Sequence, residues 1–272
     1  MSTTTQAETL TRIKSKQMFD LLSSGRRLDG RDLVSYRDIQ IETGVIDKAE
    51  GSASVSIGDT RVLVGVKVEV GEPYSDSPNS GVLTVNAEFV PLAHKIFEPG
   101  PPDENSIELA RIVDRGIRES QSVDLEKLVI VPGRLVYIVF VDIYILNHGG
   151  NLVDAAGFAA IAALMGAKVP NYEVNEKGDP VKVEGYSNMP MQDCPIPTTV
   201  VKINNTLLVD PDLDEENMSE AKILITLTKD EKVCAIQKSG METFTVQEIV
   251  QAQKIAKEKA DENRRKFFKE WC

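Results

Sequence analysis

The chain has 272 residues, of which 42% are hydrophobic and 27% charged, and its formal net charge is −11. That length and balance suit one large or two tightly joined α/β domains around a packed core. The acidic total argues against a free-standing nucleic-acid binder, which is usually basic. It leaves room for a subunit that adds only a local basic stripe to a shared surface.

No apolar stretch reaches the roughly eighteen residues of a membrane span. The longest candidate, Leu135 to Leu146, contains Asp142. The first 25 residues lack the basic-then-apolar layout of a secretory signal, so a cytoplasmic protein is expected. Cys194, Cys234 and Cys272 show no CxxC spacing, which suggests neither a disulfide framework nor a zinc site.

In chain order, Thr5 to Leu22 reads as an amphipathic helix stopped at Gly25, followed by a charged connector to Asp32. Ile39 and Ile41 alternate with polar residues. Ser52 to Ile57 has a period of two. Gly58-Asp59 turns the chain, and Val62, Val64, Val66, Val68 and Val70 line one face of a long strand. Val82 to Val90 is a further strand.

A helix is expected from about Asp103 to Ser120, with Ile107, Ala110, Val113 and Ile117 on its apolar side. Val129 to Leu146 is strongly β, with a turn at Pro132-Gly133. The loop Asn147-His148-Gly149-Gly150-Asn151 opens an Ala-rich helix from Leu152 to Met165. Residues 170 to 197 are proline-bearing and read as a long irregular connection. Strands follow at Thr198 to Ile203, Leu207 to Val209, Ile223 to Leu227 and Val233 to Gln237. The last helix runs from Thr245 to about Lys269 and opens with a capping-box pattern, Thr245 and Glu248. Two similar β-then-α halves result.

The common nucleotide, metal and hydrolase motifs are absent. Four features could carry chemistry. Arg111, Arg115 and Arg118 share one helix face and could grip an RNA backbone bidentately, although ion pairs with Glu108, Asp114 and Glu119 would make it a plain solvated face. The Gly149-Gly150 turn exposes N–H groups to an anion, yet no basic side chain follows and Asp154 would repel it, so a bare turn is the expected reading. The acidic run Asp210 to Glu216 could hold a metal, but charge runs are usually solvated. Arg27 to Arg31 is a turn with ion-pair options. His94 and His148 read as ordinary loop histidines.

Taken together, the pieces resemble the RNase PH superfamily. The resemblance rests on Gly25-Arg26-Arg27-Leu28-Asp29-Gly30-Arg31, on Gly51-Ser52-Ala53 with Gly58-Asp59-Thr60, on Gly149-Gly150 with Asp154-Ala155-Ala156, and on Ile236-Gln237-Lys238-Ser239-Gly240. It covers about residues 25 to 270. The N-terminal helix and the NHGGN loop look most like the non-catalytic RNase PH-like subunits of the archaeal exosome.

The resemblance implies an α+β fold of two similar βα halves, of the ribosomal protein S5 domain 2-like kind, with mixed sheets and packed helices. The implied segments are an N-terminal helix and connector (1–32), a first domain (33–168) and a second domain with the C-terminal helix (169–272). Active relatives carry a phosphate-binding Arg shortly after the Gly pair, where Leu152 stands here. They carry two aspartates in a stretch matched by Glu215 to Lys222; Glu216 stands for the first and Lys222 for the second. No catalytic residue and no metal site of its own are therefore expected.

The further implication is a partner. A catalytic RNase PH-like exosome subunit would pair with this chain in a six-membered ring, a trimer of heterodimers, with RNA-binding cap subunits. Inorganic phosphate, with magnesium, would act at the partner's site on single-stranded RNA. Arg111, Arg115 and Arg118 would then contact that RNA. An active phosphorolytic exoribonuclease, or a scaffold without RNA contact, are the competing readings.

Overall fold

The computed structural model describes residues 16–175 and 180–269. Most of the N-terminal helix expected from Thr5, and Cys272, lie outside them. Within them, helix α1 (16–23) ends at Gly25, whose φ of +75° favours glycine. Met18 and Leu22 of α1 pack against Val201, Ile203 and Leu208.

The first half is a mixed sheet built from β1 (Ile39–Thr43), β2 (Gly51–Ile57), β3 (Thr60–Gly71), β4 (Val82–Phe89), β5 (Val129–Val131) and β6 (Leu135–Asn147). Its order is β1-β2-β3-β6-β4, with β5 beside β6. β4 runs parallel to β6 and the other pairs are antiparallel. The β2–β3 hairpin sets Ala53 opposite Val64 and Val55 opposite Val62. Small residues on β2 thus leave room for a helix above them.

That helix is α3 (Leu152–Gly166), buried nearly all round. It packs on β2 and β3 of the first sheet and also on a strand of the second, β9 (Ile196–Ile203). Its alanines and Gly157 permit this close approach on two sides. Helix α2 (Glu104–Glu119) lies against β4, α3 and β12 (Val233–Gly240). Its buried stripe holds Leu109, Ala110, Val113 and Ile117, whereas Ile107 is 49% exposed. Ile107 was expected on the apolar side. Six residues before Val113, it lies about 120° round the helix from that residue and falls outside the stripe.

The second half is an antiparallel sheet, β10-β9-β11-β12, formed by β9 (Ile196–Ile203), β10 (Thr206–Val209), β11 (Ala221–Leu227) and β12 (Val233–Gly240). Helix α5 (Val246–Phe267) covers β9 and β11, and its Thr245–Glu248 capping box forms as the pattern predicts. Short helix α4 (Leu213–Met218) precedes β11.

The stretch 170–197 is only partly irregular: residues 189–195 lie outside the regular strands, but much of the rest is β. β7 (Lys168–Val174) and β8 (Pro180–Asn188) form a separate two-stranded hairpin. Its prolines sit where a ladder tolerates them: Pro170 at a register shift and Pro180 at the first residue of β8. Among the described residues no helix is long and apolar enough to cross a membrane.

Gly116 and Gly157 line one small apolar cavity of about 20 Å³ between α2, α3 and β9. A Cβ on Gly116 would meet Thr226 Cγ2 at 3.6 Å, an ordinary contact, while one on Gly157 would sit 2.5 Å from Pro197 Cγ. Gly116→Ala should therefore stabilise the protein by about 1 kcal/mol through helix propensity and filled space. Gly157→Ala should destabilise it by about 1–3 kcal/mol through overpacking. Paired urea melts check the signs, and equal effects at the two sites would refute the packing argument.

Candidate functional site

Three structural units meet where the halves join: the start of α3, the turn carrying α4, and the segment 27–37. Their chemistry is set by a buried ionic network. Asp210, fully buried, accepts a bidentate pair from Arg37 at 2.7 and 2.9 Å. It also accepts from Arg31 Nη1 at 2.9 Å and Asn151 Nδ2 at 2.9 Å. Burial alone would raise its pKa, but the Arg37 hydrogen bonds and charge outweigh burial and hold the carboxyl below its ordinary value.

Arg27, also buried, pairs with Glu215 through both nitrogens of its fork. It also donates to the carbonyls of Val209 and Asp210 at 2.8 Å each. The acidic run was expected to be solvated. Two of its carboxylates, Asp210 and Glu215, are instead among the most buried charges of the chain. The basic connector, unremarkable as a string of residues, supplies their partners.

The N–H groups of the turn before α3 already have acceptors within the chain. Gly149 N–H donates to Thr60 Oγ1 at 3.2 Å, and Asn151 N–H donates to Glu216 Oε2 at 2.9 Å. The carbonyls of Gly149 and Gly150 accept from Arg37. A carboxylate of the chain itself thus sits at the positive end of α3. Asp154 does not face outward to repel a ligand. It is buried under the turn, where it accepts from Tyr36, Asn151 and Thr199. Burial pushes its carboxyl up to about 6, against the pull of those donors.

Leu152 and Lys222, distant in sequence, line one cleft of about 220 Å³ with Glu216. Lys222 Nζ lies 3.0 Å from Glu216 Oε1. At the site where the resemblance implies a phosphate-binding Arg there is an apolar side chain, and the neighbouring N–H is already satisfied. The residues present do not fit an inorganic phosphate.

On its other side the cleft has an aromatic wall. Phe97 and His148 are near-parallel, with ring centres 5.8 Å apart, and Phe89 lies 4.7 Å from Phe97. His94 and His148, expected to be unrelated loop residues, have ring centres 5.4 Å apart. Burial lowers the His148 pKa, with Glu216 opposing it. Only the fold brings these rings together, and no sequence spacing announced it.

The three arginines do share the face of α2 opposite its buried stripe, but they are not equivalent. Arg115 Nη1 donates to Gln237 of β12 at 3.0 Å. Arg118 is drawn back to Asp114 at 2.7 Å and to the Leu83 carbonyl at 3.0 Å. Arg111 is exposed, and among the described residues no hydrogen bond or ion pair engages its guanidinium.

Two family models match: the 3′ exoribonuclease family, domain 1, over residues 35–170, and domain 2 over residues 193–259. Together they span most of the chain, which belongs to the 3′ exoribonuclease (RNase PH) family. The chain is 52% identical over 259 residues to the "Exosome complex component Rrp42" of Thermococcus gammatolerans, covering 95% of each protein. It is 50% identical over 265 residues to the same-named protein of Thermococcus kodakarensis, covering 97% of each. A solved chain of the Archaeoglobus fulgidus exosome with RNA bound to the active site superposes with a TM-score of 0.88 at 48% identity, covering 95% of this chain and 99% of that one.

Proposed function

We propose that this chain is a non-catalytic subunit of an archaeal-type exosome, acting in the cytoplasm in 3′-to-5′ phosphorolytic RNA degradation. It pairs with a catalytic RNase PH-like subunit in a hexameric ring, a trimer of heterodimers closed by RNA-binding cap subunits, and helps to shape the partner's active site. The observation that carries the non-catalytic reading is Glu216 bonded to Asn151 N–H and Lys222 beside Leu152. A phosphorolytic site must hold a phosphate dianion, and here an internal carboxylate occupies the N–H while Lys222 stands where a catalytic carboxylate would be needed. Inorganic phosphate, and magnesium with it, belong to the partner's site.

In this reading α2 contributes RNA-backbone contact. Among the described residues Arg111 has no hydrogen-bond or ion-pair partner, while Arg115, bonded to the neutral Gln237 amide, and Arg118, paired with Asp114, extend the same face. A composite surface of this kind accommodates the net charge of −11.

The purified chain alone should release no nucleoside diphosphate from RNA and phosphate, and activity should appear on mixing with the catalytic subunit. Reversing Arg111, Arg115 and Arg118 to Glu should lower that activity at least tenfold and flatten its salt dependence. Arg111→Glu alone should reduce the slope of log K against log salt by about 1. Phosphorolysis by the isolated chain would overturn the non-catalytic reading. Full activity of the triple variant in an intact ring would overturn the RNA contact and leave a scaffold.

A further inference from the structure

Arg115 differs from its two neighbours on α2 in how it is held. Arg111 has no partner among the described residues, and Arg118 gives two nitrogens to the Asp114 carboxylate, at 2.7 and 3.1 Å. Arg115 instead donates from Nη1 to Oε1 of Gln237 at 3.0 Å, and among the described residues no ion pair to Glu119, four residues on, accompanies that bond. A guanidinium carries only donors, so the amide can face it only with its oxygen.

Gln237 stands on a rigid base. It lies opposite Leu224 in the β11–β12 ladder, as Ser239 lies opposite Lys222. All four line the cleft beside α2, so they share the sheet face turned toward that helix. Arg115 and Gln237 are both half-buried, and their bond runs from a helix of the first half to a strand of the second. A neutral acceptor fixes a guanidinium without cancelling its charge, whereas Asp114 does both to Arg118. The bond uses Nη1 alone and leaves the rest of the donor fork open.

We propose that Gln237 is a positioning residue for the RNA contact of α2. It sets the Arg115 guanidinium in place before the strand arrives and leaves its full charge for a backbone phosphate. Ordering a long side chain in advance removes part of the entropy cost of binding. The inference rests on the reading of α2 as an RNA-backbone contact, and it ranks the three arginines within that contact. Arg111 has full charge but no fixed place, and Arg118 has a fixed place but a compensated charge. Arg115 has both. Gln237 belongs to the Ile236 to Gly240 stretch, and this bond gives that residue a task beyond the strand ladder.

Fluorescence anisotropy of a labelled oligoadenylate tests it, on the full chain assembled with its catalytic partner, without phosphate and across a salt series. Size exclusion and a thermal melt first establish that each variant is assembled and folded. Arg115→Met should weaken binding about fivefold and reduce the slope of log K against log salt by about 1. Gln237→Met keeps the length and removes the acceptor; it should weaken binding about threefold with the slope unchanged. Gln237→Glu holds Arg115 more firmly but cancels its charge, so it should weaken binding at least as much and reduce the slope by about 1. A merely structural tie between the halves would let Gln237→Glu bind like wild type. On the Arg115→Met background, Gln237→Met should change nothing further. Arg115→Met without effect would remove the RNA contact and the inference with it. Weakening by Arg115→Met with wild-type binding by Gln237→Met would leave the contact standing and overturn the positioning role. Wild-type affinity and slope for Gln237→Glu would overturn it as well.

Discussion

Asp210→Ala should lower the unfolding free energy by about 3–5 kcal/mol, because it strands buried positive charge and removes no matching cost. Arg37 and Arg31 have side chains only 12% and 14% exposed, and both direct guanidinium nitrogens at this carboxylate. Asn151 loses one of its two acceptors as well and keeps Asp154. A domain of ordinary stability has only about 5–15 kcal/mol in total, so the variant should sit close to its unfolding threshold. Urea denaturation gives the number, and a loss below about 1 kcal/mol would remove the network from its central role.

The same residue predicts a pH dependence. A carboxyl whose pKa falls on folding stabilises the fold above its unfolded value, ordinarily 3.8, and that contribution disappears as pH drops through the lower folded value. Acidification through this range should therefore cost the wild type more stability than it costs Asp210→Asn. Parallel acid titrations would contradict this.

The second large effect belongs to Arg27 and Glu215. Their side chains are 0% and 1% exposed. Glu215→Ala should cost about 3–5 kcal/mol, since a buried guanidinium is left without its counter-ion. Arg27→Met with Glu215→Leu should recover most of this, because two apolar side chains need no mutual compensation. The double variant should still fall short of wild type by about 1–2 kcal/mol. Glu215 also accepts from Asp212 N–H in the α4 capping box, and the Val209 and Asp210 carbonyls lose a donor. If the double variant were as unstable as Glu215→Ala, coupling between the two charges would be excluded.

The regular framework could be read from the sequence wherever burial imposes a period. The valines of β3 alternate because one face meets α3, and Thr245 with Glu248 announced the cap of α5 by local chemistry alone. Legibility failed where distance mattered. The β7–β8 hairpin was hidden because prolines look like breakers until their positions in the ladder are known. The acidic run looked solvated because its partners, Arg27, Arg31 and Arg37, lie more than 170 residues earlier. Leu152 and Lys222 could be named as substitutions by resemblance, but their meeting in one cleft, and the role of Glu216 at Asn151, required the fold. The shared face of the three arginines followed from helical spacing. Their unequal engagement did not, since Gln237 and Leu83 come from other elements.

Glu216, set between Asn151 N–H and Lys222, also decides what single substitutions in the cleft can do. Exchanging Leu152 for Arg would bring a cation toward a carboxylate that already has two partners, and the phosphate would still find its N–H taken. Exchanging Lys222 for Asp would set two carboxylates together near the start of α3, with neither the cation nor the phosphate to balance them. Neither substitution alone supplies an open N–H together with a cation, so neither alone should confer phosphate binding.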